Sequence, residues 1–154
     1  METLIILFGV FASTLLIVKL ITKRFEISQA GRIAMAAMLV FTAIGHFAFA
    51  KGMVMMISFL PWATEIVYIT GVIELAAAAG LLIPKMTLLT GKLLILFFIV
   101  LLPANIYAAY HNINLKTADY SGKGISYLWF RIPLQLLFIL WVYYSSIRNQ
   151  SKIK

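Results

Sequence analysis

The sequence predicts an all-α membrane protein. Of its 154 residues, 63% are hydrophobic and only 12% are charged, whereas a soluble domain is about half apolar and about a quarter charged. Five apolar stretches each approach the roughly 20 residues that a helix needs to cross a bilayer. We place these spans at residues 3–21, 33–50, 66–84, 88–110 and 125–145.

The spans are predicted as helices because of their length and pattern. Apolar runs this long cannot be strands, and the chain lacks the alternation of polar and apolar residues typical of a membrane barrel. The connections are short, so we expect a single membrane domain over residues 1–154. The first span carries Glu2 and no basic residue ahead of Lys19. A signal peptide begins with positive charge, so residues 1–22 are expected to remain as a helix.

The connection over residues 51–64, KGMVMMISFLPWAT, is the most unusual in the chain. It is too apolar for a free loop and too short for another span. An interfacial or re-entrant segment is one interpretation, with Trp62 at the depth of the lipid headgroups. Continuation of the second span up to Pro61 is the other, and the sequence leaves both open.

The net charge of +8 follows mostly from membrane orientation. Lysine and arginine gather on the cytoplasmic side of membrane proteins. With five spans, one side receives Lys19, Lys23, Arg24, Arg32, Lys85, Lys92, Arg148, Lys152 and Lys154, and the other receives Lys51, Lys116 and Lys123. This bias predicts a cytoplasmic C-terminus and an N-terminus outside, with the lipid bilayer rather than a nucleic acid as the partner.

Polar side chains inside the spans are the candidate functional residues. A charge near the centre of a membrane helix costs about 2.5–3.5 kcal/mol on insertion scales. Such groups therefore usually face the interior of a bundle and mark a site. The residues that qualify are His46, Glu74, Asn105, Arg131 and Gln135. Their positions predict one polar cluster between the midplane and the outer surface, with a ligand-binding role.

Two other interpretations of these residues remain. Glu74 and Arg131 could neutralise each other in a purely structural network completed by Asn105 and Gln135. His46 and His111 could ligate a haem, although nothing in the sequence shows that their faces meet. The chain has no cysteine, so it can form neither a disulfide nor a cysteine-ligated metal site, and no metal site is predicted.

Several segments together resemble the DoxX family of small bacterial membrane proteins. They are GRIAMAAMLVFTAIGHF, the connection ending in FLPW, YITGVIELAAAAGLLIP, LLPANIYAAYH and FRIPLQLLFILW. The resemblance implies a four-helix bundle over residues 31–146, to which residues 1–22 add an N-terminal span. It also implies the bacterial inner membrane. The family's characteristic polar positions match the five residues named above.

The resemblance implies two kinds of function. The family is named after a subunit of an archaeal thiosulfate:quinone oxidoreductase, which suggests a lipophilic ligand such as a quinone and a membrane redox or stress-related complex. The alternative is a non-enzymatic membrane chaperone or assembly partner whose polar cluster is structural. The sequence leaves open whether the protein is an enzyme, which ligand and partner proteins it binds, and whether it forms a homo-oligomer.

Overall fold

The computed structural model describes residues 2–23 and 25–148. The chain is all-α, as predicted. Its helices are α1 (Glu2–Thr22), α2 (Ile27–Ala48), α3 (Ala50–Met56), α4 (Ala63–Leu82), α5 (Thr87–Tyr110) and α6 (Leu128–Val142). A 3₁₀ turn over Gly124–Tyr127 precedes α6, and a π-helical turn over Tyr143–Ile147 follows it. Five of these segments are long and apolar enough to cross a membrane.

The helix ends differ from the apolar runs that predicted them. Helix α2 begins at Ile27, six residues before the predicted start at Ile33, because a helix can continue through polar residues beyond the apolar run. Helices α5 and α6 both continue through an internal proline, Pro103 and Pro133. Hydropathy therefore located the spans, while the backbone hydrogen bonding set their ends.

The connection after α2 forms a short separate helix. The second span does not run on to Pro61, because Phe49 leaves the helical conformation at φ −115° and ψ 29°. Helix α3 then folds against α4 and α5, with Met56 buried. Gly52 lets α3 approach the α5–α6 connection closely, since a Cβ there would clash with the carbonyl oxygen of Leu115.

The core lies among α2, α4, α5 and α6. Its fully buried side chains include Met35, Leu39 and Leu81. Helix α1 packs chiefly on α2, and only 6% of its apolar window is buried. Most of α1 therefore presents an apolar surface of the kind that faces lipid.

The helices alternate in direction, so the bundle has two ends. We call the end where α1, α4 and α6 begin and α2 and α5 finish the Glu2 end. The opposite end, which carries the α4–α5 connection, is the Lys85 end. Among the basic residues used to predict orientation, Arg24, Lys152 and Lys154 lie outside the described residues.

Candidate functional site

A cavity of about 350 Å³ lies inside the bundle toward the Glu2 end. Most of its wall is apolar and aromatic, contributed by side chains such as Phe41, Phe98 and Phe138. All five polar residues predicted from the sequence line it: His46, Glu74, Asn105, Arg131 and Gln135. The bundle therefore brings together residues from four helices that are separated by up to 89 positions in the chain.

Helices α2 and α4 form one wall of the cavity. Gly71 lets them approach closely, since a Cβ at this position would lie 3.0 Å from the Cβ of His46. Glu74 follows one turn later on α4 and is only 4% exposed. Its Oε2 lies 3.4 Å from Nδ1 of His46, yet it has no hydrogen-bond partner among the described residues.

The hydrogen bonding of His46 defines its tautomer. Nδ1 lies 3.1 Å from the carbonyl oxygen of Thr42. A carbonyl oxygen can only accept a hydrogen bond, so Nδ1 carries the hydrogen and donates it. In the neutral ring Nε2 is then an acceptor.

The opposite wall, from α5 and α6, is a connected network. Arg131 Nε donates to Asn105 Oδ1 at 3.1 Å, and Asn105 Nδ2 donates to Gln135 Oε1 at 3.4 Å. Asn105 Nδ2 also donates to the Leu101 carbonyl, and Gln135 Nε2 donates to the Phe98 carbonyl. Both amides are thus engaged within the protein, and their effect is to hold the guanidinium of Arg131 at the cavity.

Arg131 retains hydrogen-bonding capacity after these contacts. A guanidinium has five N–H donors. One goes to Asn105, and a second, on Nη1, points to the Tyr127 hydroxyl at 3.5 Å. The side chain is half-buried, so its remaining donors can reach a molecule in the cavity.

The rim at the Glu2 end comes from three separate segments. Lys116 Nζ donates to Glu2 Oε1 at 2.8 Å and ties the start of α1 to the α5–α6 connection. Met53 and Met56 of α3 line the cavity at this same end. In the α5–α6 connection, hydrogen bonds from the Ser121 side chain and backbone hold the pKa of Asp119 below its ordinary range.

The structure corrects one predicted pairing. The structural interpretation expected an ion pair between Glu74 and Arg131, but Glu74 contacts His46 instead and Arg131 contacts Asn105. The reason is helix order, since α4 packs on α2 while α6 packs on α5. His111 lies on the exposed face of the turn after α5, where its ring packs 4.0 Å from that of Tyr107, so it does not join His46 at the cavity.

Sequence reasoning missed part of the lining. Thr42 and Thr70 line the cavity; the sequence places them one turn before His46 and Glu74 on the same helix faces, but they were not among the predicted site residues. Glu2 and Lys116 also line it, but no local pattern joins two residues 114 positions apart. Among the described residues, no three His, Asp or Glu side chains are grouped to hold a metal ion.

This fold and cavity define a class: a multi-pass helical membrane protein with a mostly apolar cavity among its spans, lined by a few polar side chains. Residues 35–146 match the family described as a domain of unknown function, DUF8561. The match covers most of the chain, so the protein belongs to this family; α1 lies outside the matched region. No curated protein and no solved structure matches the chain.

Proposed function

We propose that the protein binds a neutral lipophilic small molecule in the cavity between α2, α4, α5 and α6, with a molecule of the quinone–quinol class as the leading candidate. The observation that carries this proposal is the lining itself. An apolar cavity of about 350 Å³ contains a buried carboxylate oxygen without a hydrogen-bond partner. A buried acceptor left unpaired costs about 1–3 kcal/mol, which a bound molecule could recover.

The dimensions and chemistry of the cavity support a small amphiphilic ligand. Ligand sites are typically apolar clefts of about 300–1,000 Å³ with a few placed polar groups. Here the polar groups lie on two walls, with His46 and Glu74 on one and Arg131 on the other. A ring bearing oxygen atoms at two positions suits this arrangement, and its apolar body would contact the aromatic lining.

The resemblance to the DoxX family adds a cellular setting to this proposal. Under the proposal, the protein is a DoxX-like four-helix bundle with an additional N-terminal helix. It is located in a bacterial inner membrane with its N-terminus outside. It would act with a membrane or redox partner protein in a redox or stress-related complex. Because the chain has no cysteine, electrons would come from a bound cofactor or from that partner.

The test is saturable binding of a decyl-substituted benzoquinone to protein reconstituted in lipid nanodiscs. Ala104 lines the cavity, so Ala104→Phe is expected to block it and to weaken saturable binding at least about tenfold. Ala79→Phe is the matched control, because Ala79 is exposed on α4 and does not line the cavity. Non-saturable uptake that is equal in the wild type and both variants would contradict the proposal.

The exposed segment after α3 favours a second candidate function. Phe59, Leu60 and Trp62 are 55%, 40% and 76% exposed, and Trp62 has a left-handed backbone at φ 56°. Such a surface suits a membrane chaperone or assembly partner. Photo-crosslinking from position 59 distinguishes the two functions, since a specific protein adduct supports the partner role and adducts with lipid alone oppose it.

A further inference from the structure

The wall formed by α2 and α4 presents hydrogen-bond acceptors to the cavity when the His46 ring is neutral. We call the side chains of Thr42, His46, Thr70 and Glu74 the acceptor wall. The Thr42 hydroxyl donates to the Leu39 carbonyl at 3.0 Å, and the Thr70 hydroxyl donates to the Val67 carbonyl at 2.8 Å. Both residues line the cavity, and each hydroxyl has already used its hydrogen.

The other two members of the wall are acceptors as well. His46 uses its Nδ1 hydrogen toward Thr42, which leaves Nε2 as a lone-pair acceptor in the neutral ring. Glu74 Oε2 faces the Nδ1–H of His46 at 3.4 Å. A hydroxyl hydrogen on that oxygen would oppose the ring N–H, so the geometry fits an acceptor oxygen at Oε2.

Acidic and basic side chains are equal in number around the cavity when the His46 ring is neutral. The acids are Glu2 and Glu74, and the bases are Lys116 and Arg131. A cationic ligand would meet Arg131 in a small apolar space, and an anionic ligand would meet Glu74. Charges are poorly screened in such an environment, so a neutral molecule with a donor at one end and an acceptor at the other fits best.

We propose that the cavity selects the reduced, hydroxyl-bearing form of its ligand, a quinol, over the oxidised quinone. This inference rests on the proposed function and specifies its ligand. One quinol hydroxyl donates to Glu74 or to Nε2 of His46 on the acceptor wall, while its other oxygen accepts from Arg131. A quinone has only acceptor oxygens, so it leaves the acceptor wall unpaired. A site built to hydrogen-bond a ligand hydroxyl rejects the analogue that lacks the hydroxyl.

The experiment compares three decyl-substituted benzene derivatives on the wild-type protein in nanodiscs: the quinone, the quinol and the quinol dimethyl ether. The quinol is kept reduced anaerobically with dithionite, which has no disulfide to attack in a chain without cysteine. We expect the quinol to bind roughly tenfold more tightly than the quinone, equivalent to about 1.4 kcal/mol. The ether, which has lost its donors, should also bind roughly tenfold more weakly than the quinol.

Two glutamate-to-glutamine variants test the role of the acceptor wall. Glu74→Gln places an amide donor in the wall, so the preference for the quinol should fall to about threefold or less. Glu65→Gln is the matched control on the same helix, because Glu65 is exposed and does not line the cavity. It should keep the full preference.

The outcomes separate this inference from the proposed function. If the quinone binds saturably and as tightly as the quinol, or if the ether matches the quinol, the reduced-form preference is overturned while the binding function stands. If neither the quinone nor the quinol binds saturably, the proposed function fails and the inference fails with it. The three-ligand comparison uses the wild-type protein, so it stays decisive even if Glu74→Gln does not fold.

Discussion

Gly71 of α4 lies directly against His46 of α2, with the position of a Gly71 Cβ only 3.0 Å from the Cβ of His46. This close approach brings two helices together where their polar side chains meet. One turn further along α4, Glu74 reaches 3.4 Å from the His46 ring. The acceptor wall therefore depends on a residue that has no side chain of its own.

Adding a methyl group at this contact should destabilise the bundle. In Gly71→Ala the new Cβ would also lie 3.3 Å from the Phe47 ring, so both neighbours must shift. Both this variant and its control gain the helix propensity of alanine, so we expect Gly71→Ala to be less stable than the control by about 1–3 kcal/mol, the usual cost of overpacking, visible as a lower unfolding temperature in detergent. Gly9→Ala on α1 is the control, because a Cβ there meets nothing within 4 Å and alanine favours a helix. Equal unfolding temperatures of the two variants would show that α2 and α4 are not in close contact.

The amide of Gln135 should contribute measurably to stability. It is buried, accepts from Asn105 and donates to the Phe98 carbonyl. Gln135→Leu leaves that carbonyl without its side-chain partner, and we expect a loss of about 1–3 kcal/mol in urea or thermal unfolding. Gln29→Leu, at an exposed position of α2, should change stability little. A neutral effect at position 135 would mean that the network does not hold Arg131.

The orientation predicted from the lysine and arginine bias can be tested by thiol labelling without background, since the chain has no cysteine. Thr64→Cys places a thiol at the Glu2 end, and Met86→Cys places one at the Lys85 end. Both positions are exposed, and neither change alters the charge. In intact cells a membrane-impermeant maleimide should label position 64 and spare position 86. The reverse pattern would mean that the N-terminus is cytoplasmic.

The α5–α6 connection contains a carboxyl group, Asp119, whose protonation should lower the stability of the folded state. Ser121 hydrogen bonds hold the pKa of Asp119 below its ordinary range, so the carboxylate form is favoured in the folded state. The carboxylate therefore stabilises the folded state at pH values above the pKa of Asp119 in the unfolded chain. This stabilisation is lost as the pH falls through the lower pKa of Asp119 in the folded state. Ser121→Ala should raise the pKa of Asp119, measured by NMR titration of its carboxyl carbon. An unchanged pKa would show that the hydrogen bond from the Ser121 hydroxyl does not form.

Much of the fold could be predicted from hydropathy because lipid demands long apolar helices. The five spans are confirmed as helices of sufficient length and composition. The short helix α3 could not be predicted, because its packing depends on Gly52 meeting the distant Leu115 backbone. No local sequence pattern indicates such a contact.

The cluster of polar side chains could be predicted for a similar reason. Polar groups in apolar helices face inward, and the five named residues do line one cavity. Their partners could not be predicted, because a pairing depends on which helices are adjacent. The structural interpretation of the sequence paired Glu74 with Arg131 by charge, whereas the packing of α4 on α2 places Glu74 beside His46.

The central claim is that the cavity binds a lipophilic molecule, and photoaffinity labelling tests it most directly. An azido-substituted decyl quinone is bound to the wild-type protein in nanodiscs, irradiated, and its adducts are located by mass spectrometry. We expect adducts at cavity residues such as Met53, Phe98 and Leu134, suppressed by excess unlabelled quinone. Adducts confined to the lipid-facing surface of α1, at residues such as Leu16 and Leu20, and insensitive to competition would contradict the claim.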